Sequence, residues 1–161
     1  MRFADSNVFL HAFLIPRRTL TKEEQHVKDE AKTIVKRIER GEDVAITTVH
    51  LSEVVNIIET GLNLQKSLGF LAWIITSENI KVYPVSVEDY ESAMPLAKDS
   101  NISANDALAY LSMKTHKLKE IYSFDKHFDK LKDVIRLPKT PPRQSRRNQE
   151  DPINLNSDST Q

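Results

Sequence analysis

Cysteine is absent from all 161 residues. Disulfides, thiolate metal sites and a cysteine nucleophile are therefore excluded, and any metal must be held by oxygen or imidazole. A chain without thiols suits a reducing compartment, so a cytoplasmic location is the expectation. Glycine is nearly absent as well: Gly41, Gly61 and Gly69 stand far apart. No glycine-rich loop can cradle a phosphate, which disfavours nucleotide-binding ATPases and dinucleotide folds. Apolar runs are far too short to span a bilayer, so no membrane role is expected. The opening Met1-Arg2-Phe3-Ala4-Asp5 meets charge too soon for a secretory signal. An excess of either charge is also lacking, with 23 basic against 23 acidic residues. That balance argues against gripping nucleic acid by bulk electrostatics alone, but clustered catalytic acids would subtract from the total in a nuclease.

Hydrophobic period switches repeatedly along the chain. Arg2 to Ser6 reads as a strand, followed by helical spacing at Val8, Phe9, Ala12 and Phe13. Thr21-Lys22-Glu23-Glu24 has the form of a capping box and opens a helix that runs to Gly41. Asp43 to Thr47 is a second strand, and two helices follow, through Leu51–Ile58 and Leu64–Ile75. Ile80 to Val85 is a third strand, and Ser86-Val87-Glu88-Asp89 is a second capping box. A helix over Ser103 to His116 precedes a strand at Glu120 to Phe124, a short helix at Asp125 to Leu131 and a fifth strand at Val134 to Leu137. Strands alternating with helices, joined by connections too long for hairpins, predict an α/β fold with a parallel sheet of four to five strands covered on both faces.

Four carboxylates, Asp5, Glu53, Asp106 and Asp125, fall at or near strand-to-helix junctions. In a parallel sheet such junctions gather at the carboxyl edge. Each acid also has a purely structural reading. Asp5 and Asp125 suit helix N-caps, Glu53 suits a first-turn glutamate favoured by the helix dipole, and Ser103-Ala104-Asn105-Asp106 matches a capping box. Asp106 nevertheless projects toward Tyr110 and Met113, off the Ala104, Ala107, Leu108 and Leu111 face. The shared topological location of the four favours a site. His11, His26, His50, His116 and His127 show no HxH or HExxH spacing, so zinc is disfavoured, although His50 and His127 fall close to these acids. No GxSxG surrounds Ser6 or Ser123, which argues against a hydrolase triad.

In order along the chain, Asp5-Ser6-Asn7, then Glu53, then Asn105-Asp106-Ala107-Leu108 and finally Ser123-Phe124-Asp125-Lys126-His127-Phe128 resemble the motifs of a PIN domain. This is the metal-dependent ribonuclease fold of VapC-type toxins and RNA-processing nucleases, and the resemblance covers residues 1–137. It implies a three-layer α/β/α sandwich in which Asp5, Glu53, Asp106 and Asp125 are the catalytic and metal-binding acids and Asn7 and Ser123 their polar supports. It further implies an endoribonuclease that leaves a 5′-phosphate, with an RNA substrate, an antitoxin partner in the toxin branch, and a homodimer. Hard carboxylate oxygens suit Mg²⁺ or Mn²⁺, and a cation there activates water and neutralises phosphoryl charge, so no protein nucleophile is needed. Asp129 matches no motif and reads as an exposed helix residue. The apolar face with Phe70, Leu71, Trp73 and Ile74 is either core or part of a dimer interface.

Two other function classes remain open. A phosphoacceptor domain would need an acidic pair after the first strand, which Asp5-Ser6-Asn7 lacks. A non-catalytic RNA- or protein-binding module would be expected to lose at least one of the four acids. Residues 138–161 are rich in Pro, Arg, Asn, Ser and Gln, and Ile153 and Leu155 are their only strongly apolar members. This composition predicts a disordered polar tail, in which Arg143, Arg146 and Arg147 suit an RNA-binding arm. Deleting residues 141–161 is therefore expected to change unfolding stability by less than about 0.5 kcal/mol. A cooperative fall of several degrees in Tm would show instead that Ile153 and Leu155 dock on the domain.

Overall fold

A sheet of five short parallel strands in the order β3-β2-β1-β4-β5 organises the protein. The computed structural model describes residues 1–139, so all but the first two residues of the expected tail lie outside the described residues. The elements run β1 (Arg2–Ala4), α1 (Ser6–Phe13), α2 (Lys22–Glu39), β2 (Val44–Thr47), α3 (Thr48–Gly61), α4 (Leu64–Thr76), β3 (Ile80–Tyr83), α5 (Val87–Ser100), α6 (Ala104–Thr115), β4 (Glu120–Tyr122), a 3-10 turn (Lys126–Lys130) and β5 (Ile135–Leu137). The capping boxes at Thr21/Glu24 and Ser86/Asp89 form as the sequence predicts.

Several boundaries differ from the sequence reading. β1 stops at Ala4 because Ser6 already belongs to α1. β3 stops at Tyr83, one residue before Pro84, which has no N–H for the ladder. α3 begins a turn earlier than its apolar period suggests, since the Thr47 hydroxyl caps it by accepting from the His50 N–H. The expected helix at Asp125 to Leu131 is a five-residue 3-10 turn, a length at which 3-10 bonding is common.

Period-two alternation sends successive strand residues into two separate cores. Ala4, Val44, Ile46 and Tyr122 pack with the helices α1 to α4, whereas Phe3, Ala45 and Ile121 pack with Ala109 and Met113 of α6 and Phe128 of the 3-10 turn. A third cluster joins Ala93 of α5 to Ala107 and Leu108 of α6. The layers are therefore helix, sheet, helix. On α4, Phe70 and Ile74 are buried, and Trp73 stands edge-on to Phe9, Phe13 and Phe70 at 6.2, 6.4 and 5.8 Å. That face is core. Among the described residues no helix is long and apolar enough to cross a membrane.

The two edges of the sheet carry different chemistry. At the amino edge Glu42 accepts bonds from Arg2 and Tyr122 and pairs with Arg37, while Arg2 also pairs with Glu120. At the carboxyl edge a second cation is structural. Arg136 of β5 is 8% exposed and grips Asp129 through two bonds of 2.8 and 2.9 Å. It also donates to the carbonyls of Ser123 and Pro138. Asp129 is thus exposed, as expected, but it is not idle: the Arg136 bonds hold its carboxyl below the usual range. Removing it in Asp129→Ala would leave a buried guanidinium with carbonyl partners only. The expected loss in urea unfolding is about 1.5 kcal/mol, the low end for a charged hydrogen bond because water reaches Asp129. A change under about 0.5 kcal/mol would show that the carbonyls alone satisfy Arg136.

Candidate metal centre and active site

The sheet order places a reversal between β1 and β4. β1 leads to β2 and β3 on one side, and the chain then returns to β4 and β5 on the other. Crevices at such reversals, beyond the carboxyl ends of the strands, are where parallel sheets bind ligands. Asp5 follows β1 directly, and its N–H still bonds the Tyr122 carbonyl at 3.0 Å, so strand pairing holds it at the crevice. It occupies the N-cap position of α1 but makes no side-chain cap bond. Its carboxylate turns instead to Asn7 Nδ2 and Ser123 Oγ, which donate to Oδ2 at 2.6 Å each.

Asn7 and Ser123 also fasten the far side of the crevice. Asn7 Oδ1 accepts from the Phe124 N–H at 3.1 Å, and Ser123 Oγ accepts from the Asp125 N–H at 3.0 Å. Asp125 then caps the 3-10 turn by accepting the His127 N–H at 2.8 Å. Asp106 realises its capping box: its N–H bonds Ser103 Oγ at 3.0 Å, and its Oδ2 accepts from the Ser103 N–H at 3.3 Å. The same Oδ2 lies 3.7 Å from His127 Nδ1. Capping and facing the crevice are therefore compatible at Asp106 and Asp125. Glu53 sits in the second turn of α3, past the first turn where the dipole favours acids. Ser6 Oγ and Asn105 Nδ2 donate to its Oε2 at 3.0 and 3.2 Å.

All four predicted acids thus reach one edge, but not equally closely. Asp106, Asp125 and His127 form the tight group, with one ligand atom from each lying within 4.8 Å of the others. Asp5 and Glu53 border it. Asp5 is 7% exposed. Its carboxyl is pushed up to about 7, chiefly by burial and further by the charges of Asp106 and Glu53, against the pull of the Ser123 bond. This set of hard oxygens with one imidazole, negative overall, fits a divalent cation of the Mg²⁺ or Mn²⁺ kind.

Sequence reasoning missed Ser6 and Asn105 as holders of Glu53, although each adjoins a motif acid. It also missed Arg136, whose signal was a lone cation between Ile135 and Leu137. His50, expected near Glu53, turns inward: its ring is edge-on to Phe3 at 5.3 Å, and Nδ1 lies 2.6 Å from Thr47 Oγ1. Burial lowers it to about 4, which makes it a neutral packing residue. His116 stacks on Tyr83 with ring centroids 3.5 Å apart.

The family model that matches the sequence is the PIN domain, over residues 3–134. The chain belongs to the PIN domain family. No match is found among curated proteins. Among solved structures, this PIN domain is similar to the sarcin-ricin loop cleaving toxin VapC20 of Mycobacterium tuberculosis, with a TM-score of 0.60 and 18% identity over 78% of this chain and 91% of that one. It is also similar to a chain of a toxin–antitoxin complex from Klebsiella pneumoniae (TM-score 0.58, 17% identity, 84% of this chain, 96% of that one). A third is a chain of VapBC2 from Rickettsia felis, bound to a DNA fragment from its promoter (0.55, 13%, 84% and 96%). These likenesses establish the fold.

The raised pKa of Asp5 has a defined sign. In the metal-free protein the folded state keeps a proton on Asp5 that the unfolded chain releases near 3.8. Below that value Asp5 is neutral in both states and carries no penalty; as pH rises from about 4 through about 7 it costs stability progressively. Asp5→Asn is expected to remove this component. With EDTA present, the variant should gain Tm relative to wild type at pH 8 and not at pH 4. An equal difference at both pH values would mean that Asp5 is ionised in the fold at no cost.

Proposed function

We propose that this PIN domain protein is a divalent-metal-dependent endoribonuclease that hydrolyses RNA phosphodiester bonds, as the toxin of a toxin–antitoxin pair or as an RNA-processing nuclease. The observation that carries this reading is the meeting of Asp5, Glu53, Asp106 and Asp125, from four separate segments, at one crevice where no lysine or arginine pairs with them among the described residues. Concentrated anionic charge without a basic partner calls for a cation. The likeness to VapC20, a sarcin-ricin loop cleaving toxin, supports the same class.

In this reading Asp5, Asp106 and Asp125 hold Mg²⁺ or Mn²⁺, with Glu53 as the fourth acid. A cation bound there supplies a water of lowered pKa and neutralises charge on the phosphoryl oxygens. The protein's own residues set the geometry. Asn7 and Ser123 fix the Asp5 carboxylate, Ser6 and Asn105 fix Glu53, and Ser103 fixes Asp106. Lys126 and Lys130, exposed on the 3-10 turn beside the crevice, suit contacts to RNA phosphates.

An antitoxin partner fits a groove of about 680 Å³ next to the crevice. Asn7 and Phe124 form one end, and Leu10, Leu14, Ile15 and Val27 give it an apolar floor between α1 and α2. For a homodimer, the exposed apolar side chains Leu64, Leu68 and Ile75 of α4 are the surface we propose, since the Phe70–Ile74 face is core.

Purified protein is expected to cleave generic RNA with Mn²⁺ or Mg²⁺ and not with EDTA. Asp106→Asn should lower the rate by on the order of a hundredfold or more while its metal-free Tm holds or rises, because Asn can still accept the Ser103 bond and relieves repulsion. Wild-type rates in the variant, or cleavage that ignores EDTA, would overturn the proposal. Metal binding with no cleavage of any RNA would favour the binding-module class.

A further inference from the structure

We propose that His127 is itself a metal ligand, and that its nitrogen beside Asp106 and Asp125 tilts the centre toward Mn²⁺ and other transition-series cations over Mg²⁺. The inference rests on reading the acids as a metal site. It adds a donor of a different chemical kind. His127 Nδ1 lies 3.3 Å from Asp125 Oδ1 and 3.7 Å from Asp106 Oδ2.

Those separations discriminate between two arrangements. A charge-assisted hydrogen bond from an imidazolium to a carboxylate would close to about 2.7–2.9 Å. Both contacts are longer, and the only bond between His127 and either acid is the backbone N–H to Asp125. Two donors at right angles on a cation with bonds of about 2.1 Å stand about 3.0 Å apart, and two opposite donors about 4.2 Å apart. Both separations to His127 Nδ1 fall between these limits, so the imidazole nitrogen stands where it can share one ion with either carboxylate.

The ring is partly exposed, yet its backbone is anchored. Phe128, the next residue, is fully buried, and Asp129 is locked to Arg136. The 3-10 turn therefore presents Asp125 and His127 on one rigid segment, facing Asp106 across the crevice. Imidazole is a weak ligand for Mg²⁺, which prefers oxygen and retains its waters, whereas affinity of nitrogen-containing sites rises along the transition series from Mn²⁺.

Pulsed electron paramagnetic resonance of Mn²⁺ bound to the wild-type protein reads the ligand directly. A ¹⁴N coupling of the imidazole type is expected, and it should vanish in His127→Ala. The variant should lose on the order of tenfold in Mn²⁺ affinity, with Mg²⁺ affinity, measured by competition, changing less than about threefold. Asp106→Asn serves as the control that places the ion at this crevice. Mn²⁺ binding that depends on Asp106 but shows no nitrogen coupling would overturn the inference and leave the carboxylate site standing. Equal losses for both metals in His127→Ala would overturn the selectivity. Absence of any Asp106-dependent Mn²⁺ binding would overturn both this inference and the reading on which it rests.

Discussion

A carboxylate buried at the end of the central strand, within the field of two other carboxylates, is the constraint to which the carboxyl edge answers. Asp5 is almost inaccessible, and only Asn7 and Ser123 donate to its Oδ2 with their side chains. Burial and the charges of Asp106 and Glu53 all favour its neutral form. An apolar residue at this position would avoid the penalty altogether. A cation would relieve it, because the oxygens that repel one another in its absence become its ligands. On the proposed reading, the cost in the metal-free state and the affinity for metal have the same origin, as expected where local destabilisation serves a site.

The topology makes this arrangement reachable from distant sequence positions. Because β1 and β4 are neighbours while more than a hundred residues separate them in the chain, the segments that follow them share one crevice. The two cores then fix the approach of the remaining acids. α3 packs on one face through Leu51, Val54 and Ile58 and brings Glu53 in, while α6 packs on the other through Ala109 and Met113 and brings Asp106. Neither helix could shift by a turn without exposing its apolar stripe, so site geometry is a consequence of core packing. The same logic holds the last segment, where Phe128 enters one core and Arg136 clips the turn to β5.

Legibility in the sequence followed the range of the interaction that decides each feature. Element type and the parallel sheet were readable because apolar periods and capping boxes are local patterns, and Thr21/Glu24 and Ser86/Asp89 form as read. The four acids were readable as a group because their motifs occur in order. Their unequal distances were not, since they depend on how α3, α6 and the 3-10 turn pack in three dimensions. The Arg136–Asp129 pair was invisible for a related reason: an exposed acid on a short turn and a cation inside a strand gain meaning only once β5 lies beside β4. His50 and His127 show the limit most clearly. Both stand near motif acids in sequence, yet one turns into the core against Phe3 and the other faces the crevice.

The choice between helix cap and site residue, which the sequence poses for three of the acids, takes a different answer at each. At Asp5 the cap position is occupied but the cap bond is not made, and the carboxylate turns instead to Asn7 and Ser123, which both donate to its Oδ2. At Asp106 the box with Ser103 forms, and its Oδ2 still faces His127. At Asp125 the bond from the His127 N–H fixes the carboxylate and draws the imidazole alongside it. A carboxylate has about four acceptor positions, so one backbone N–H leaves most of its capacity free. Capping in these two places restricts the rotamer of the acid, and an acid already restricted loses less entropy on taking a ligand. The local bonds that seemed to compete with the site are thus part of how the chain preorganises it.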